Sequence, residues 1–130
     1  MTTHSLPVRV YYEDTDFSGN VYHAAYLKFF ERGRTEFLRE LGVHHAELAR
    51  DGIAFAVRRM QIEFEAAAHI DDLLEVTTEV VAATGARLNL RQTISRDGVA
   101  IALAEVQVVT IRTSGGAARL PKVLLAAVRT

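Results

Sequence analysis

Asp14, Asp16 and His23 fall within the stretch YYEDTDFSGNVYH, residues 11 to 23, with Gly19 between them. Acids this close to one another and to a histidine could bind a cation, run catalysis as base or nucleophile, or simply form turns. Asp14-Thr15-Asp16-Phe17-Ser18-Gly19 follows the opening of a calcium loop, which wants Asp or Asn at its fifth position and a bidentate Glu at its twelfth. Ser18 and Ala25 stand at those places, so the calcium reading fails on its ligands. A transition-metal site fails too, because a single loop with one histidine and two carboxylates offers no second His at ligand spacing. No metal is expected. Ser18 lacks the G-x-S-x-G surroundings of a hydrolase nucleophile. What is left is a carboxylate just ahead of a helix start. There, unpaired backbone N–H groups and the positive dipole end can hold negative charge developing on an oxygen. An acid beside such a site suits acyl transfer. Alternatively, Asp14, Asp16 and Asn20 serve only as caps and turn formers.

The elements that must position these residues can be read from periodicity. Residues 6–13 alternate, with Val8, Val10 and Tyr12 on one face, which predicts a strand. From 24 to 41, Tyr26, Leu27, Phe30, Phe37, Leu38 and Leu41 recur at helical spacing, and Gly42 stands where a helix end favours a left-handed residue. Gly33 in that helix predicts close approach to another backbone. A short helix over 44–50 follows. Strands are then expected at 53–65, 73–83, 86–96 and 99–112, with Thr84-Gly85 and Asp97-Gly98 as hairpin turns. The apolar phase slips between Val57 and Met60, which predicts a bulge at Arg58-Arg59. Ala100, Ala102, Ala104, Val106 and Val108 form a small-residue strip on which the long helix could lie. Pro121 opens a short apolar segment with a helical turn. The order implies an α+β fold, an antiparallel sheet with one long helix packed on it.

The bulk numbers narrow the function classes. The 130 residues suit a single domain, 1–130, and a net charge of -1 gives no support for tracking nucleic acid. No run reaches the ~18 apolar residues of a membrane span, and the N-terminal residues lack the pattern of a signal peptide. The absence of cysteine leaves the redox compartment unmarked. A cytoplasmic location is expected.

The segment RVYYEDTDFSGNVYHAAYLKFFERGRTEFLR, residues 9–39, resembles the signature of the hotdog-fold acyl-CoA thioesterases of the 4-hydroxybenzoyl-CoA thioesterase superfamily. Its nearest likeness is the YbgC-type branch associated with the Tol-Pal system. The likeness continues through AFAVRRMQIEF at 54–64, IDDLLEV at 70–76 and RDG at 96–98. It departs from the family pattern at Asn20, where an aliphatic residue is commoner, and at Ala67, where many relatives have proline. The resemblance implies a hotdog fold, a five-stranded antiparallel sheet wrapped around one long central helix.

It also implies hydrolysis of acyl-CoA without a separate cofactor, coenzyme A being part of the substrate. The aspartate of the T-D-x-x-G motif falls on Asp16, as nucleophile or general base. Gly19 shapes the loop, and the amide near His23 would polarise the thioester carbonyl, with the His23 side chain orienting water or Asp16. Val21 and Tyr22 border the substrate, and Arg58, Arg59, Arg87 and Arg91 are candidates for the coenzyme A phosphates, since guanidinium binds two oxygens at once. Asp14 reads as a loop-fixing acid; Glu31 and Arg32 are expected on or near the face of the central helix seen by the site or a partner subunit, with a solvated ion pair as the commoner alternative; and His44, His45 and His69 carry no pattern. A homodimer or homotetramer with sites at subunit boundaries is implied as well. The rival reading is a non-catalytic hotdog domain that binds acyl-CoA or acyl carrier protein; a hotdog dehydratase would want a different arrangement of histidine and acid.

Overall fold

The structure, a computed structural model, describes residues 3–128, so the outermost residues of the expected 1–130 domain lie outside the described residues. Its strands are β1 (Thr3–Arg9), β2 (Ile53–Phe64), β3 (Leu73–Thr84), β4 (Arg87–Arg96) and β5 (Val99–Arg112), and its helices are α1 (Ala25–Glu40), α2 (His45–Arg50) and α3 (Lys122–Val128). The five strands form one antiparallel sheet in the order β1-β3-β4-β5-β2. Asp97 and Gly98 join β4 to β5 with φ of 52° and 81°, the doubly left-handed pair of a type I′ hairpin turn. The expected bulge is present: Val57 pairs with Val108 and Arg59 with Gln107, leaving Arg58 as the extra residue.

Helix α1 presents a stripe of Tyr26, Phe29, Phe30, Gly33 and Phe37, all buried, at the i, i+3, i+4, i+7 spacing of one helical face. Leu27, expected on that face, is 45% exposed, because a step of one residue rotates it about 100° away from Tyr26. At Gly33 the close neighbours are side chains rather than another backbone. A Cβ there would lie 2.6 Å from Val76 Cγ1 on β3. The helix lies nearest β1 and β3, and Ala102, Ala104, Val106 and Val108 of the expected strip are buried in the same core as its inner face.

The first strand is shorter than its alternation implies. Val8 and Val10 are buried, but after Arg9 the chain turns, and Tyr12–Asp14 form one 3-10 turn with Tyr12 exposed. The cause is Asp14, whose Oδ2 accepts the Tyr11 N–H at 2.8 Å and draws the backbone out of the ladder. The expected turn after Pro121 is a complete short helix, α3, with Leu124 buried.

Candidate active site

Leaving β1, the chain folds into a small hairpin that delivers it to α1. Thr15 and Val21 form an antiparallel bridge, the Asp16 N–H donates to Asn20 O at 2.9 Å, the Gly19 N–H to Asp16 O at 3.1 Å, and the Tyr22 N–H to Asp14 O at 2.9 Å. Gly19 has φ of +85°, and nothing lies within 4 Å of where a Cβ would be, so the position needs glycine for handedness and not for space. Asp14 is buried and its carboxylate closes the preceding turn, a structural role in keeping with the loop-fixing expectation.

Asp16 is exposed at the hairpin tip. Its Oδ1 accepts the Ser18 hydroxyl and, at 2.8 Å, the Ser18 N–H. The Ser18 hydroxyl, then the Ser18 amide, hold the Asp16 carboxyl below its ordinary range; slight desolvation opposes them and a backbone bond from Asn20 assists. Asp16 is therefore an anion at neutral pH.

Helix α1 opens without a side-chain cap, since Ala24 occupies that position. The Ala25 N–H turns back to Tyr22 O at 2.8 Å, whereas the His23 and Ala24 N–H groups meet no acceptor among the described residues. The Ala24 amide, at the N-cap, is one of the orphan donors every helix start carries, and the His23 amide lies one residue before it. Val21 is buried. Tyr22 and His23 are exposed, with ring centroids 4.5 Å apart, and no hydrogen bond joins His23 to Asp16 among the described residues.

The arginines are scattered. Arg58 donates from Nη1 to Gln107 Oε1 at 2.8 Å. Arg91 lies between Glu105, 2.9 Å from its Nε, and Glu79, 3.5 Å from its Nη1, and these carboxylates raise its pKa. Its charge is already matched, which weakens it as a phosphate ligand. The side chains of Arg59 and Arg87 form no hydrogen bond or ion pair among the described residues, and no side chain of the four bonds to the Asp16 hairpin.

Spacing alone gave no sign of the second wall of the hairpin, residues 66–72. The Val21 N–H donates to Ala68 O at 2.8 Å and the Ile70 N–H to Gly19 O at 3.0 Å, while His69 Nδ1 meets Asn20 Oδ1 at 2.8 Å. Tyr26 of α1 accepts the Ala68 N–H on its hydroxyl at 3.0 Å. Asp72 accepts the His69 N–H at 2.8 Å and Arg96 Nη1 at 2.7 Å; burial works against its charge, but these partners hold its pKa low. Asn20 was visible as a departure from the family pattern, yet its partner lies 49 residues away, beyond the reach of any local signal. Among the described residues no group of His, Cys, Asp and Glu is gathered so as to hold a metal ion, and no helix is long and apolar enough to cross a membrane.

Residues 10–128 match the family model described as the thioesterase-like superfamily. The acyl-CoA thioester hydrolase YbgC of Escherichia coli is 45% identical over 106 residues, 81% of this chain and 79% of the relative. The acyl-CoA thioesterase YbgC of Haemophilus influenzae is 46% identical over 108 residues, 82% and 79% of the two chains. Among solved structures, a probable thioesterase from Bartonella henselae superposes with a TM-score of 0.88 at 43% identity, covering 92% of this chain and 100% of that one. A 1,4-dihydroxy-2-naphthoyl-CoA thioesterase from Synechocystis gives 0.91 at 25% identity, covering 98% and 96%.

Proposed function

Because the chain belongs to the thioesterase-like superfamily, we propose that it hydrolyses acyl-CoA thioesters to the free acid and coenzyme A. The observation that carries this is the placement of Asp16. It is an anion held by a closed hairpin that leads into α1, just before which the His23 and Ala24 N–H groups are unpaired among the described residues. In this reading residues 1–130 are one hotdog domain, with α1 as the long central helix around which the sheet curls.

The thioester carbonyl oxygen takes the His23 and Ala24 N–H groups, which stabilise the oxyanion by roughly 3 to 4 kcal/mol per donor in a preorganised site. Asp16 then acts in one of two ways. As nucleophile it attacks the carbonyl carbon, the C–S bond breaks, and water hydrolyses the mixed anhydride. As general base it takes a proton from water, and the hydroxide attacks. In both routes coenzyme A leaves as a thiolate, whose conjugate acid resembles a cysteine thiol of pKa about 8.5, so no strong general acid is needed. The His23 side chain orients the water. Val21 and Tyr22 border the acyl group, and Arg59 and Arg87, free of protein partners among the described residues, suit the phosphates better than Arg58 or Arg91. We place the protein in the cytoplasm as a homodimer or homotetramer.

One observation favours the rival reading, a domain that binds acyl-CoA or acyl carrier protein without turnover. Asp16 is open to solvent and unbonded to His23 within one chain. Thiol release from short, medium, long and aromatic acyl-CoAs separates the two. The Asp16→Asn variant is expected to lose turnover by at least about a thousandfold while still binding substrate; full activity in that variant removes Asp16 from the chemistry. Absence of release from the whole panel supports the binder. Label in the Asp16 carboxylate after a single turnover in oxygen-18 water establishes the anhydride route, because general-base attack places label in the product acid alone.

A further inference from the structure

A cavity of about 640 Å³ lies in a wedge between the C-terminal half of α1, α2 and the strands β2, β4 and β5. Its volume is that of a small-molecule site. Leu38, Phe55, Val57, Leu88, Leu90 and Val108 make much of its wall apolar. Against that wall stands the half-buried guanidinium of Arg34. Its Nη1 donates to Gln92 Oε1 at 3.1 Å, and no carboxylate reaches ion-pair distance of it among the described residues.

Gln92 is fully buried and its amide has no freedom to turn. Nε2 donates to Phe30 O and to Thr78 Oγ1, each at 2.9 Å, so Oε1 is committed to the arginine. The guanidinium is thus anchored at one nitrogen while most of its donors are unmet. Burial lowers the Arg34 pKa, and Glu31, itself exposed, only partly offsets this. The other guanidinium at the cavity, Arg39, is closed on Glu36 at 3.1 Å. His44 and His45 add no negative charge. Glu31 also lines the cavity but is exposed and beyond ion-pair distance, and a partly desolvated cation so weakly compensated is costly. The occupant that relieves it has an apolar body and an anionic oxygen at one end. Arg34 lies ten residues beyond Ala24, about 15 Å along the helix axis.

We propose that this cavity receives the distal part of the acyl group and that Arg34 selects acyl groups ending in a carboxylate over plain alkyl chains. This rests on the thioesterase reading and names its substrate class. Suberyl-CoA and octanoyl-CoA test it, since they match in length and differ in the terminal carboxylate. The wild-type protein is expected to favour suberyl-CoA by about tenfold or more in kcat/KM, as for a charge-assisted hydrogen bond. Arg34→Met should bring that ratio to near one, and Arg34→Lys should keep part of it as a point charge. Equal turnover of the two thioesters by the wild type overturns the proposal, even if Arg34→Met fails to fold. So does an Arg34→Met protein that loses both activities alike, or one whose assembly falls apart in sedimentation, since a carboxylate of a second copy is then the counter-ion. If neither thioester releases thiol and the wider acyl-CoA panel gives none either, the hydrolase reading fails separately. Calorimetric titration then decides the selection, with suberyl-CoA bound about tenfold tighter if Arg34 reads the carboxylate and equally if it does not.

Discussion

At the scale of single residues, Ser18 lowers the pKa of Asp16 by donating both its hydroxyl and its N–H to one carboxylate oxygen. Both donors favour the charged form, so the folded pKa lies below the ordinary aspartate value of about 3.9. For Ser18→Ala we expect the acid limb of kcat/KM against pH to move up towards that ordinary value, with activity at neutral pH retained because Asp16 stays ionised. An acid limb that does not move would mean that another group governs it. The same sign holds for stability. A depressed carboxylate stabilises the fold above its unfolded pKa, and that contribution is lost as pH falls through the folded value. Asp16 could be singled out from sequence because its motif is contiguous. Its exposure and its bond to Ser18 could not, since they depend on how the hairpin closes.

At the scale of elements, two contacts fix α1. Gly33 meets Val76, where an added methyl would sit at 2.6 Å from Cγ1. Gly33→Ala gains up to about 1 kcal/mol in helix propensity but overpacks the interface, so we expect a net destabilisation of about 1 to 2 kcal/mol in urea unfolding. In a Val76→Ala background the penalty of Gly33→Ala should shrink, because the clashing methyl is gone. Near the head of α1, Tyr26 accepts the buried Ala68 N–H. Tyr26→Phe leaves that donor unpaired, and the expected cost is about 1 to 3 kcal/mol by the same measurement. The helix span, the hairpins and the bulge were legible because each follows from local pattern. The end of β1 was misjudged because Asp14 competes with the ladder for the Tyr11 N–H, and alternation of apolar residues carries no trace of that bond.

At the scale of the whole molecule, β2 is an edge strand of 12 residues beside its bulge, and Phe17 stands fully exposed next to Asp16. A long open edge is a pairing surface. Sedimentation at micromolar concentration is expected to give two or four chains per particle, and specific activity should fall on dilution as the assembly separates. A monomer with undiminished activity would contradict a site shared between subunits. What the sequence determined alone was set over a few neighbouring residues: the strand and helix periods, the hairpin turn at Asp97-Gly98, the bulge at Arg58 and the motif around Asp16. Only the tertiary structure decided which distant groups meet, as His69 meets Asn20, Arg91 meets Glu79 and Glu105, and Gln92 holds Arg34 against the cavity. Backbone sterics and side-chain period act along the chain, whereas a hydrogen bond or ion pair between remote residues exists only once the sheet has brought its strands into register.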